Sequence, residues 1–205
     1  PASANPTVSR AGGFDLGRSD ISQFIDDVVS RNEVLNRDDV LALLAKAEPQ
    51  PKIVELISKP AERVVPWWEY RQRFLTSQRI NGGVRFWQEH REMLERICAQ
   101  HGVPPQYIVA IIGVETFYGR VTGGYRVLDA LATLAFDYPP RSEFFRSELE
   151  QFLLLANEEK VDPLTAKGSY AGAMGAPQFM PSSYRRYAVD GGNDQRRNLW
   201  KDWDD

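Results

Sequence analysis

The sequence predicts a mainly α-helical globule. Apolar residues recur at helical spacing in nearly every segment, strand-like alternation is almost absent, and Pro or Gly falls between one helical pattern and the next. The 205 residues, 42% hydrophobic and 26% charged, suffice for one large domain or two small ones and exclude a disordered chain.

The elements read in order as follows. Residues 1–18, rich in Pro, Gly, Ser and Ala, read as a flexible leader. Ser19 or Asp20 caps a helix carrying Ile21, Phe24, Ile25, Val28 and Val29. Asn36 caps the next, with Val40, Leu41, Leu43 and Leu44 on its apolar side, and Pro51 opens a short third helix that Pro60 ends. Pro66 begins a dense aromatic segment with helical spacing, Trp67-Trp68-Glu69-Tyr70, of which at least one tryptophan is expected in the core. Asn81-Gly82-Gly83 is expected to break the chain, and a long amphipathic helix then runs through Val84, Trp87, Met93, Leu94 and Ile97 to His101-Gly102. Pro104-Pro105 starts a strongly apolar helix that Gly119 and Gly123-Gly124 interrupt. Two more helices, near residues 128–136 and 144–155, are split by Tyr138-Pro139-Pro140, and a Gly/Ala loop at 168–177 precedes a last short helix opened by Pro181. There is no internal repeat.

Composition also bounds function. With 25 basic against 28 acidic residues the net charge is -3, so no basic excess exists to neutralise nucleic-acid phosphates. No stretch is long and apolar enough to span a membrane, and neither a signal-peptide pattern nor an N-terminal lipidation Cys is present, as in a mature chain. The single cysteine, Cys98, excludes an intrachain disulfide and Cys-based metal sites, and its helical surroundings suit a small core residue. His90 and His101 have no Ser, Cys or carboxylate arrangement that suggests a triad.

Glu115 is the most informative residue. In a helix it shares a face with Ile108, Ile111 and Ile112, seven, four and three positions earlier. A carboxyl among isoleucines is expected to have its pKa pushed upward, as a general acid requires. Three features accompany it. The loop at 168–180 combines small residues, which let a ligand approach the backbone, with the polar groups of Ser169 and Gln178. Trp67, Trp68 and Tyr70, with Tyr118 beside the acid, offer ring faces on which sugars stack. Asp190-Gly191-Gly192-Asn193-Asp194, with Asp202, Asp204 and Asp205, offers oxygens to calcium but departs from the strict calcium-loop pattern, with Gly192 third, Gln195 sixth and Lys201 twelfth.

Residues 114–120 (VETFYGR), the segment 168–183 (GSYAGAMGAPQFMPSS), Trp68-Glu69-Tyr70-Arg71 and Asn198-Leu199-Trp200 together closely resemble the membrane-bound lytic murein transglycosylase B family over nearly the whole chain beyond the leader. The resemblance implies a lysozyme-like core at 101–205, incomplete at its C-terminus because family members continue further, packed against an N-terminal helical domain at 19–100. It implies cleavage of the peptidoglycan bond between N-acetylmuramic acid and N-acetylglucosamine in the bacterial periplasm, with outer-membrane association through a lipid anchor absent from this chain. Glu115 matches the family's single catalytic acid/base. Tyr70, Ser169 and Gln178 match sugar-contacting positions, and Tyr118 and Phe144 join them as candidate substrate contacts. Arg141 matches one of two arginines near the peptide stem, the other being replaced by Pro140. No cofactor is required. Asp190, Asp194 and Asp204 match the ligands of a structural calcium, although Gly192 and Arg196 depart from the usual types.

Ordinary glycosidases use two carboxylates. One strong candidate suits a lytic transglycosylase, where the muramyl C6 hydroxyl is the nucleophile. Two rivals remain: a lysozyme-type hydrolase recruiting Asp129 or Glu143, and a non-catalytic peptidoglycan-binding module.

Overall fold

A computed structural model describes residues 13–59 and 65–205. Ten α-helices lie among the described residues: α1 (Ser19–Arg31), α2 (Arg37–Leu44), α3 (Pro51–Ser58), α4 (Trp67–Tyr70), α5 (Ser77–Glu89), α6 (Arg91–His101), α7 (Pro105–Thr116), α8 (Val127–Asp137), α9 (Ser142–Glu159) and α10 (Pro181–Tyr187). The only named strands among them are β1 (Tyr125–Arg126) and β2 (Lys167–Gly168), paired antiparallel with Tyr125 opposite Gly168. The mainly helical class expected from the sequence is what the chain adopts.

Local chemistry accounts for most boundaries. Asn36 accepts the Asp38 N–H at 2.8 Å to cap α2, and Thr76 accepts the Arg79 N–H at 3.2 Å to cap α5. Prolines open α3, α7 and α10. Gly102, in the left-handed region at φ 68°, closes α6. Residues 1–12 of the expected leader, and Pro60, lie outside the described residues, but the leader's last part is structural. Phe14 is buried with its ring edge-on to Phe136 at 5.9 Å, and Arg18 reaches Asp20, Asp137 (2.6 Å) and the Phe136 carbonyl (2.7 Å). Those contacts hold Asp20 below the usual carboxylate range, chiefly through its hydrogen bond with Arg18.

Two hydrophobic clusters organise the chain. In the larger, α8 is buried on every side from Val127 to Phe136, against α9, α1–α3 and the later residues Met174, Tyr184 and Leu199. The smaller joins α5, α6 and α7 through Phe86, Leu94 and Val109, flanked by Trp87, Met93, Ile112, Tyr118 and Trp203. Helices from the first hundred residues contribute to both.

Two expectations need correction. Asn81-Gly82-Gly83 does not break the chain but lies inside α5, while the expected single long helix divides at His90. The glycines serve packing. A Cβ on Gly82 would lie 2.9 Å from the Tyr118 ring, and one on Gly83 or Gly113 would lie 2.6 Å from the Tyr118 hydroxyl oxygen. Together these glycines form the slot through which α5 and α7 pass on either side of Tyr118. Neither tryptophan of α4 is in the core: Trp67 is 70% and Trp68 61% exposed, because α4 has no buried residue.

The slot sets a testable sign. In an unobstructed helix Gly→Ala stabilises by about 0.5–1 kcal/mol. Gly83→Ala should instead destabilise by about 1–3 kcal/mol through overpacking, measured by urea unfolding. In a Tyr118→Ala background the same change should become neutral or favourable.

Candidate active site

The end of α7 is built around Thr116. Phe117, Tyr118 and Gly119 all take left-handed conformations (φ 52°, 62° and 75°), so the helix stops abruptly after Thr116. Thr116 is fully buried. Its hydroxyl donates to the Ala176 carbonyl at 2.9 Å and accepts from the Gly119 N–H at 3.0 Å. Glu115 is the preceding residue, and its side of the helix differs from expectation. Ile108, Ile111 and Ile112 do share its face, but only Ile108 and Ile112 are partly buried against the smaller cluster: Ile111 is 56% exposed, and Glu115 itself is exposed. Helical spacing identifies which residues are neighbours, not whether another element packs over them.

The loop at 168–180 is tied to the chain just beyond Glu115 at several points. Besides the Thr116–Ala176 bond, the Gln178 side-chain amide donates to the Thr122 carbonyl at 3.1 Å. Gly123, at φ 100°, lies so close to Gly168 that a Cβ would fall 2.0 Å from the Gly168 carbonyl oxygen. Within the loop Met174 and Phe179 exchange backbone hydrogen bonds of 2.8 and 3.0 Å.

These bonds give the two polar residues opposite characters. The Ser169 hydroxyl oxygen accepts from the Ala171 and Ala173 N–H groups at 3.2 and 3.0 Å, which leaves its O–H hydrogen to donate. The Gln178 amide nitrogen donates to two carbonyls, Thr122 at 3.1 Å and Gly175 at 3.0 Å, which leaves its carbonyl oxygen to accept. Gln178 holds this pose at φ 54°. A half-buried donor and a half-buried acceptor on one loop match an acetamido group, which presents a carbonyl and an N–H.

The remaining candidates fall into three groups. Tyr70 is 41% exposed, and its ring meets Trp67 at 6.2 Å and Phe74 at 5.2 Å, an open aromatic row. The Arg141 guanidinium lies 4.3 Å over the Phe144 ring, so these two stand together as an exposed cation–aromatic pair. Tyr118 is used differently from expectation. Its ring stacks on Phe86 at 5.6 Å and its hydroxyl donates to the Arg79 carbonyl at 2.9 Å, and burial pushes its pKa up. It locks α5 to α7 rather than offering a face to a ligand.

The second acids considered from sequence separate clearly. Asp129 is 5% exposed, and its oxygens receive Arg126 at 2.7 and 2.8 Å and the Glu48 N–H at 2.9 Å. Its oxygens are taken up in holding the chain together. Glu143 is exposed on the first turn of α9. Sequence reasoning did not single out Thr116 or the Arg126–Asp129 pair, although the i, i+3 spacing of the latter was visible.

The acidic loop near the C-terminus is held by its own backbone. Asp190 accepts the Asp194 and Gln195 N–H groups at 3.0 and 2.8 Å, Asp194 accepts that of Arg196 at 2.9 Å, and Asp205 accepts those of Gly191 and Asn198 at 3.0 and 2.5 Å. Asp204 pairs with Arg96 on α6. Arg197 anchors the loop to Glu159 and Glu158 on α9, and Arg185 also grips Glu158, holding its carboxyl below the usual range.

The family model described as the transglycosylase SLT domain matches residues 18–205. The chain belongs to the transglycosylase SLT family. It is 45% identical over 202 residues to membrane-bound lytic murein transglycosylase B of Escherichia coli K12, a match spanning 94% of this chain and 56% of that protein. The crystal structure of catenated SltB1 from Pseudomonas aeruginosa superposes with a TM-score of 0.89 at 51% identity, over 92% of this chain and 62% of that one. The E. coli lytic transglycosylase Slt35, solved in complex with calcium, superposes at 0.85 with 45% identity, over 93% and 61%. SltB3 from P. aeruginosa, solved with NAG-anhNAM-pentapeptide, superposes at 0.79 with 29% identity, over 88% and 48%. This member of the SLT family thus spans little more than half the length of its curated relative.

Slt35 was solved with calcium, and the acidic loop of this SLT domain carries oxygens of the kind calcium takes. Among the described residues no three His, Cys, Asp or Glu side chains converge on a metal-sized site. Both Asp190 oxygens are occupied by backbone N–H groups and the Asp204 carboxylate faces Arg96, so Asp190, Asp194 and Asp204 are not assembled as a ligand set. The expected calcium triad is not assembled as arranged, because Asp190 is turned onto backbone N–H groups and Asp204 onto Arg96. Thermal unfolding should therefore coincide in millimolar calcium and in chelator. A bound ion at a hundredfold its dissociation constant would add about 2.7 kcal/mol and raise the midpoint visibly.

Proposed function

We propose that this chain carries the glycan-cleaving site of a lytic transglycosylase acting on peptidoglycan, with Glu115 as acid and base. The reaction breaks the β-1,4 bond between N-acetylmuramic acid and N-acetylglucosamine. Glu115 protonates the glycosidic oxygen as its bond to C1 breaks. The resulting carboxylate removes the proton of the muramyl C6 hydroxyl, whose oxygen attacks C1. A 1,6-anhydromuramyl end forms, water is not consumed, and Glu115 is protonated again.

The observation that carries this reading is the state of the carboxylates. Of the two possible second acids, Asp129 is clamped by Arg126 and the Glu48 N–H, which leaves exposed Glu143 as the hydrolase's one remaining candidate and favours a reaction needing one carboxyl rather than two. Glu115 is exposed where α7 meets the loop of Ser169 and Gln178. The ligand completes its setting: a glycan laid over Ile111 and Glu115 excludes water from the carboxyl. The Ser169 hydroxyl hydrogen and the Gln178 carbonyl suit a sugar's acetamido group, and the aromatic row ending in Tyr70 suits a sugar face. Arg141 over Phe144 offers charge to an anionic peptide stem. The NAG-anhNAM-pentapeptide held by SltB3 is of the product class this reaction gives.

Residues 101–205 hold Glu115, Ser169 and Gln178, and the segment before them supplies Tyr70. Peptidoglycan as substrate places the site of action in the bacterial periplasm. No helix among the described residues is long and apolar enough to cross a membrane.

Purified sacculi digested by this chain should release muropeptides ending in anhydromuramic acid, one water lighter than hydrolysis products by mass analysis. Glu115→Gln should reduce release by about 100-fold or more. Reducing ends would assign the chemistry to hydrolysis. Glycan binding without release would leave a binding module.

A further inference from the structure

We propose that Arg79 is a positioning residue that fixes Glu115 relative to the aromatic row of Tyr70. The proposal rests on Glu115 as the acid/base and concerns how the helix end that bears it is held.

The abrupt end of α7 creates the need. In a continuing helix the Gly113 and Val114 carbonyls would accept the N–H groups of Phe117 and Tyr118. Here both N–H groups turn back to the Ile112 carbonyl, Tyr118 at 3.2 Å, because Phe117 and Tyr118 are left-handed. The two carbonyls immediately before Glu115 are left without helical partners. Arg79 reaches across from the first turn of α5 and Nη1 donates to both, to Gly113 by a short bond and to Val114 at 3.4 Å. A cation on the last carbonyls of a helix also opposes the negative end of its dipole.

The guanidinium is held from both sides. It lies 5.4 Å from the Phe74 ring centroid and 5.1 Å from that of Phe117. Phe74 meets Tyr70 at 5.2 Å, so Tyr70, Phe74, Arg79 and Phe117 form one continuous row from the proposed sugar platform to the residue two past Glu115. The link is reciprocal, since the Tyr118 hydroxyl donates to the backbone carbonyl of Arg79. Arg79 Nε is buried with no partner among the described residues. An unsatisfied buried donor is costly, and an apolar side chain would avoid that cost at the same place. The arginine is explained by what its two carbonyl contacts position.

The test compares Arg79→Gln and Arg79→Lys with the unmodified chain on soluble uncrosslinked glycan strands. The 13C resonance of the Glu115 side-chain carboxyl, assigned with Glu115→Gln, is recorded on each. Arg79→Gln should lower kcat by about 10- to 100-fold while KM stays within about threefold, and Arg79→Lys should recover part of kcat. The Glu115 resonance should move in Arg79→Gln, while the cooperative melt persists. A raised KM with unchanged kcat, or a Glu115 resonance identical to the unmodified chain's, overturns the proposal. If Arg79→Gln loses its cooperative melt, Phe74→Leu, which opens one face of the sandwich and keeps the cation, is read by the same criteria. If the unmodified chain releases no anhydro product yet the resonance moves, positioning stands and the transglycosylase reading falls.

Discussion

The buried hydroxyl of Thr116 is the constraint on which the candidate site depends. A hydroxyl with no exposed surface must find partners or carry a desolvation penalty. Its partners are the Gly119 N–H, which shapes the turn out of α7, and the Ala176 carbonyl, which belongs to a loop sixty positions later. One side chain thereby fixes two things at once, the exit of the helix that carries Glu115 and the seat of the loop that carries Ser169 and Gln178. The close approach of Gly123 to Gly168 and the short β1–β2 pairing hold the same loop from its other end. Side chains on a loop so tethered are held by more than the loop's own backbone.

The loop's internal hydrogen bonds then decide chemistry as well as position. Serine and glutamine can each donate and accept, so their presence in the sequence gives no direction to a hydrogen bond. Backbone N–H groups occupy the Ser169 oxygen and backbone carbonyls occupy the Gln178 amide, leaving each with one outward role. Exchanging the Gln178 amide oxygen and nitrogen would set an oxygen against two carbonyls, so the polarity follows from the loop's own geometry.

The helical elements were legible where burial was strong. The runs in α8 and α9 face the larger core and carry dense apolar patterns, and Pro139-Pro140 separates them because proline cannot continue a helix, whereas the left-handed Lys160 that closes α9 carries no such signal. Failures came where a distant residue overrode local propensity. Gly82 and Gly83 look like a break until Tyr118, far along the chain, is seen to fill the space their missing side chains leave. Trp67 and Trp68 look like core by composition, yet α4 is a single turn with no buried residue. For the candidate site, the sequence pointed to Glu115, Ser169 and Gln178 but not to the exposure of Glu115, since face-sharing with isoleucines says nothing about a covering element. In the acidic loop the oxygens were visible in the sequence, and the N–H groups and Arg96 that they face were not.

The carboxylates divide in a way that bears on mechanism. Asp129, Glu148 and Glu159 are buried, and each is filled with donors: Asp129 by Arg126 and the Glu48 N–H, Glu148 by the Ser182 N–H and hydroxyl at 2.9 and 2.7 Å, Glu159 by Arg197. Oxygens filled in this way serve to hold α8, α9 and α10 in place. Glu115 makes no hydrogen bond or ion pair among the described residues. A group that must give a proton and take one back within a turnover works best when neither state is locked by fixed partners, because each such partner would raise the cost of one half of the cycle. On this argument an exposed, unpartnered carboxyl on a rigidly ended helix is better suited to the proposed chemistry than the buried one that spacing alone suggested. In the proposed reaction the helix would supply the position and the glycan the dry environment.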